Sequence, residues 1–157
     1  MVAATSESAL LILGEPGLGK SHLLTQASTA ASETVHTAFV YGRPAEASFE
    51  LSGFAAFFDA LRGEHQAAFG HHLVLRSDRP DRLFAAAQDL AELIQGLHLR
   101  PTVVFIDDID EMDPLSQSLI SILSGHLAGT NVRIVATAKS TPPAALSSRC
   151  RPSASSR

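Results

Sequence analysis

What this sequence has little of narrows what it can be. Cysteine is nearly absent: Cys150 is the only one in 157 residues, so no internal disulfide can form, which fits a reducing compartment, and a cytoplasmic location is expected. Basic charge is not in excess. Twelve Lys and Arg face sixteen Asp and Glu, for a net charge of −4, so no general positive field draws in nucleic acid. No apolar run reaches membrane-spanning length. The first apolar run has no basic segment ahead of it and stops at a glycine-rich turn, so neither a signal peptide nor a membrane role is expected. Seven histidines are present, but no Cys/His set has zinc-site spacing, and the adjacent His71 and His72 point to opposite sides of an extended chain. No internal repeat is found. The remainder, 45% apolar and 18% charged, indicates a packed core and a length suited to one domain.

Against these absences stands one dense motif. Residues 14–21 read Gly-Glu-Pro-Gly-Leu-Gly-Lys-Ser, the pattern G-x-x-x-x-G-K-[ST] of a phosphate-binding loop. The apolar run Ala9 to Leu13 precedes it, and a stretch of helical character from Lys20 to about Ser32 follows. Amides at a helix start carry partial positive charge and accept an anion. Gly14, Gly17 and Gly19 are expected to permit positive φ and a close backbone approach. Lys20 places an ammonium near β and γ phosphates, and the Ser21 hydroxyl is the expected Mg²⁺ ligand. The expected nucleotide-binding set is Gly14, Glu15, Pro16, Gly17, Leu18, Gly19, Lys20, Ser21 and His22. The last lies on the first helical turn, where it either approaches the nucleotide or faces solvent.

A second element agrees with the first. Thr102 to Ile106 is a continuous apolar, β-rich run ending in Asp107-Asp108, as in a strand buried on both faces. Its carboxyl end is where ligands sit in an open α/β sheet, so Asp107 is expected to hold Mg²⁺ together with Ser21. Further strands are expected at 35–41 and 131–137. Helices are expected over 51–62, with Phe54, Phe57, Phe58 and Leu61 on its core side, from an Asp81 cap to about Leu97, and from Asp113-Pro114 to about His126. In the last of these, Leu115, Leu119, Ile122 and Leu123 are expected inward, and Ser116, Gln117, Ser118, Ser121 and Ser124 outward. Leu73 to Leu75 reads as strand-like. Alternation of strands and helices gives an α/β three-layer sandwich with a mostly parallel sheet of four to five strands. Residues 1–139 are expected to form the core, and 140–157 a low-complexity, disordered tail.

Together, Gly-Glu-Pro-Gly-Leu-Gly-Lys-Ser and Val-Val-Phe-Ile-Asp-Asp-Ile-Asp-Glu-Met-Asp-Pro resemble the additional-strand P-loop ATPases, the AAA+ and STAND superfamily. The likeness is greatest to the ATP-binding module of large LuxR-type bacterial transcriptional regulators, in which Asp-Asp is followed by an Asp-Pro that opens a helix. It covers about residues 9 to 139. The resemblance implies ATP and Mg²⁺ as cofactors, ATP or ADP as the small-molecule partner, self-association as a working mode, and slow ATP hydrolysis. Lys20 and Asp108 would be the catalytic residues, with Ser21 and Asp107 on the metal. Asp108 falls where many relatives carry a water-orienting glutamate, and Glu111 is a reserve candidate. Thr137 and Lys139 fall where the family places a polar sensor of the γ-phosphate. In the family strand order 5-1-4-3-2 no fifth strand is expected, so the sheet would be incomplete at its C-terminal edge and the phosphate-loop strand would lie at an open apolar edge. An upstream adenine-side segment, a helical lid, an arginine finger and a helix-turn-helix are not found, so the sequence reads as truncated and no direct DNA binding is expected. Two other functions stay open: an inactive fragment or interaction module, and a small-molecule kinase, although no Arg cluster for a kinase lid lies between the motifs.

Overall fold

The apolar runs become strands where β-branched and aromatic residues concentrate. In the computed structural model, which describes residues 2–5, 8–63, 80–97, 99–139 and 151–152, these are β2 (Ala9–Leu13), β3 (His36–Tyr41), β4 (Thr102–Asp107) and β5 (Val132–Ala138). All four run parallel, in the spatial order β3-β4-β5-β2. The described α-helices are α1 (Lys20–Ala31), α2 (Ser52–Arg62), α3 (Pro80–Gly96) and α4 (Pro114–His126). The expected strand over Leu73 to Leu75 and the histidines 65, 71 and 72 lie outside the described residues.

Strand alternation divides the core into two sides. Val40, Val104, Ile106, Val132, Ile134, Ala136 and Leu11 share one cluster with Phe54, Phe57 and Leu61 of α2, Leu83, Ala87, Leu90, Ala91 and Ile94 of α3, and Leu119, Ile120 and Leu123 of α4. Phe105, Ile12 and Leu24 of α1 are buried outside that cluster, on the face where α1 packs against β3, β4 and β5. Helices on both faces of a parallel sheet give the expected three layers. The phenylalanines of α2 are core, as their spacing indicates. Among the described residues no helix is long and apolar enough to cross a membrane.

Three expectations are corrected. The edge beside β2 is not open: β1 (Val2–Thr5) pairs with it antiparallel, Val2 opposite Leu13 and Thr5 opposite Leu10. A two-residue strand, β6 (Arg151–Pro152), pairs with β1 in turn, so the sheet has six strands. The place that the family order gives to a parallel fifth strand is thus taken by an antiparallel N-terminal one. The rest of the tail expected over 140–157 lies outside the described residues. Asp81 is the second residue of α3, not its cap. On α4, Ser116 and Ser121 are buried rather than outward, because α4 is wedged against both α2 and α3.

A nucleotide-type cavity at the carboxyl ends of the strands

The loop after β2 turns sharply into α1. Gly17 and Gly19 make the turn at φ 84° and 77°, where a side chain would be strained. Gly14 is not at positive φ, and a Cβ there would meet only the side chains of Leu18 and Lys20, at 3.3 and 3.5 Å. The expectation of positive φ therefore holds for two of the three glycines. Gly19 caps α1 without any side-chain acceptor, and the amides of Lys20, Ser21 and His22 take no hydrogen bond among the described residues. Unsatisfied amides at the head of a 12-residue helix are donors for an anion.

Lys20 is only 7% exposed. Its ammonium donates to the carbonyls of Gly14 at 2.9 Å and Glu15 at 3.2 Å, so it closes its own loop. Pro16, Gly17, Gly19, Lys20 and Ser21 line a cavity of about 340 Å³, and Asp108 and Lys139 form its other wall. Glu15, Leu18 and His22 are exposed on the loop and first turn and do not line it. A larger cleft of about 550 Å³ lies beside His36 and Arg100, at the opposite end of the strands, away from the glycine loop and both acidic residues.

Asp107 ends β4 and Asp108 follows it. Asp107 is 8% exposed and does not line the cavity; it accepts a hydrogen bond from Thr137 Oγ1 at 2.6 Å. Asp108 takes the left-handed conformation, φ 50° and ψ 56°, and its amide donates to the same Thr137 oxygen at 2.9 Å. Burial, followed by the charges of Asp107 and Asp110, pushes the Asp108 carboxyl above its ordinary value, and Lys20 and Lys139 oppose that shift. Lys139 is itself engaged. Its ammonium pairs with Glu111, and its amide donates to Asp110 Oδ1 at 3.2 Å. Glu111 is therefore an ion-pair partner rather than a free carboxylate.

Asp113 is 1% exposed and caps α4 through Ser116 N at 2.9 Å. The sequence indicates this cap, but not that the same carboxylate also receives Leu51 N at 2.9 Å and Gly53 N at 3.2 Å from the head of α2. Two further positions escape sequence reasoning. The Thr137 hydroxyl, expected to reach a phosphate, is spent between the two acidic residues. Gly42, the residue after β3, is forced: a Cβ there would lie 1.9 Å from the Asp108 carbonyl oxygen. The one signal for Gly42 was its place immediately after a strand that reaches the same sheet edge.

No cluster of three or more His, Cys, Asp or Glu side chains among the described residues could hold a metal ion. A hydroxyl and one or two carboxylates are nevertheless the donor set used for Mg²⁺ when phosphate oxygens and water complete its shell. The free helix-head amides and the open space beside Gly17 and Gly19 fit a polyphosphate, so the residues present fit the pair.

No curated protein matches the chain. Among solved structures, it is similar to Thermomonospora curvata EccC (ATPases 2 and 3), determined in complex with a signal sequence peptide, at 10% identity and a TM-score of 0.44 over 84% of this chain and 25% of that one. It is also similar to C. elegans PCH-2, at 18% identity and a TM-score of 0.43 over 92% of this chain and 34% of that one. The chain thus spans a quarter to a third of those proteins' lengths. The family model of the AAA ATPase domain matches residues 1–135, both nucleotide motifs included, and the chain belongs to that family.

Proposed function

We propose that this chain is the Mg·ATP-binding and slowly hydrolysing core of a signal-transduction ATPase of the kind found in LuxR-type transcriptional regulators. The observation that carries the reading is the convergence of Lys20, Ser21 and Asp108 on one cavity at the head of a helix with free amides. Lys20 would exchange the carbonyls of Gly14 and Glu15 for phosphate oxygens, at the cost of two hydrogen bonds that it already has. Ser21 and Asp107 would hold Mg²⁺, which when bound supplies Lewis-acid charge to the phosphoryl oxygens. Asp108 would orient the attacking water. Burial and the charges of Asp107 and Asp110 raise its proton affinity, the direction that favours a group accepting a proton from that water. With no arginine aimed at the cavity among the described residues, turnover would be slow. The Asp-Asp ending of β4 and the Asp113-Pro114 helix start support the LuxR-type assignment.

The test is Mg²⁺-dependent ATP binding by calorimetry. Wild type should bind, and Lys20→Ala should lose at least tenfold in affinity, the equivalent of about 1.4 kcal/mol. Equal binding by the two proteins would remove the site. One observation favours a second reading, a nucleotide-independent interaction module: the Lys20 ammonium is already satisfied within its own loop. In that case saturating Mg·ATP would leave the melting temperature unchanged, whereas specific binding raises it.

A further inference from the structure

We propose that Thr137 is a positioning residue whose single hydroxyl couples the two carboxylates of the site. The inference rests on the nucleotide reading for its consequence, but not for its geometry. Thr137 is the penultimate residue of β5 and has no exposed surface. It stands level with Asp107 because Ile106 pairs with Ala136 one residue earlier, and level with Ile12 of the phosphate-loop strand on its other side. Thr137 therefore sits on the strand between the loop strand and the acidic strand.

A hydroxyl has one proton to give. Thr137 gives it to Asp107 Oδ1 at 2.6 Å, while Thr137 Oγ1 itself receives the Asp108 amide at 2.9 Å. Two consequences follow. The Asp107 oxygen that accepts is fixed, so its other oxygen is the one left for a cation. The Asp108 backbone is pinned at its amide, and its carbonyl is pinned by Glu111 N at 2.9 Å and by the close approach of Gly42. These restraints hold Asp108 in a left-handed conformation that a non-glycine residue rarely adopts, and this turns its carboxylate to the cavity. Loss of the hydroxyl would loosen the metal carboxylate and the water-orienting carboxylate together. Groups that orient a ligand at second hand typically change metal affinity or activity by about 10–100-fold when removed.

The experiment uses the full chain with Thr137→Val, which keeps shape and removes both bonds, and Thr137→Ser, which keeps both bonds. In the nucleotide-free protein, hydrogen exchange at the Asp108 amide should rise at least about tenfold in the valine variant and stay near wild type in the serine variant. With ATP present, metal-free binding should remain within about twofold in both. In the valine variant the Mg²⁺ concentration for half-maximal binding should rise and kcat should fall, each by about tenfold or more, while serine rescues both. If Thr137→Val does not fold, Thr137→Cys, a weak donor, should show the same shifts to a smaller degree. The proposal is overturned if Asp108 exchange is unchanged in the valine variant, if kcat and Mg²⁺ dependence stay at wild type, or if serine is as impaired as valine. If wild type binds no ATP, the nucleotide reading falls and the exchange measurement still decides whether Thr137 holds Asp108.

Discussion

Replacing Asp113 should expose how much of this fold hangs on one carboxylate. Oδ1 receives Ser116 N and Leu51 N, both at 2.9 Å. Oδ2 receives Ser116 Oγ at 2.5 Å, Gly53 N at 3.2 Å and, more weakly, Ser52 Oγ at 3.4 Å. The carboxylate thus caps α4 and ties the head of α2 to it, and Ser116 Oγ extends the link by receiving Phe54 N at 2.7 Å. In Asp113→Ala, the lost cap costs about 1 kcal/mol. The buried Gly53 amide, left without an acceptor, costs about 1–3 kcal/mol. The Leu51 amide loses its acceptor while Leu51 sits at φ 63°, and that adds about 1 kcal/mol more. The expected loss is roughly 3–5 kcal/mol, a large share of the 5–15 kcal/mol typical of a domain. Asp113→Asn should cost about half of that: its oxygen can keep Ser116 N and Leu51 N, but its NH₂ then faces the Gly53 amide, donor against donor.

Urea melts of the three proteins measure this at neutral pH, and acid melts add a signature. Burial pushes the Asp113 carboxyl upward, but the bonds from Ser116, Leu51 and Gly53 outweigh it, and the net result lies below the ordinary 3.8. A carboxyl depressed in the folded state contributes stability that is fully present above its unfolded value and is lost as pH falls through the folded one. The advantage of wild type over Asp113→Asn should therefore be constant above about pH 5 and shrink below pH 3.8. A difference under about 0.5 kcal/mol between wild type and the alanine variant, the range of an ordinary surface change, would refute the reasoning, as would an asparagine variant no more stable than alanine.

Two other outcomes are expected. Asp108 has the opposite shift, raised by burial and by Asp107 and Asp110, so its ionisation works against the folded state as pH rises past 3.8; Asp108→Asn, which also tolerates left-handed backbone, should melt higher at pH 7 and lose that gain below pH 3.8, and a lower melt at pH 7 would count against it. Deleting residues 1–7 removes β1 and bares the edge of β2, at a cost of roughly 2–4 kcal/mol in ladder hydrogen bonds and with self-association visible by light scattering; a monomer of unchanged stability would contradict the role given to β1.

The parallel strands and the phosphate loop were legible because their signals are local. Thr102 to Ile106 is apolar throughout, as a strand covered on both faces requires, and the loop motif spells out its own glycines. The cap at Asp113 is legible for the same reason, being followed directly by Pro114. β1 was not. Val-Ala-Ala-Thr is short, has two alanines at its centre and shows no apolar alternation, and its pairing with β2 is what makes it a strand. Ser116 and Ser121 read as outward because periodicity assumes one buried face, whereas α4 packs against two helices. Thr137 and Gly42 are tertiary facts: each is defined by an atom of Asp107 or Asp108, which no spacing reveals.

Those last two positions explain how the end of a strand can serve as a site at all. A strand end offers loose backbone, and a carboxylate there would normally be solvated and mobile. Here the neighbouring strand on each side closes on the end of β4. β3 leads directly into Gly42, whose amide donates to the Asp107 carbonyl at 2.8 Å and whose bare Cα lets the Asp108 carbonyl approach. β5 supplies the Thr137 hydroxyl, and its last residue accepts the amide of Gly14 through the Ala138 carbonyl at 3.3 Å. One strand, β5, therefore touches both motifs, the glycine loop through main chain and the acidic pair through a side chain. The two motifs lie far apart in the chain, and their spacing across the cavity is set by a segment that carries neither of them.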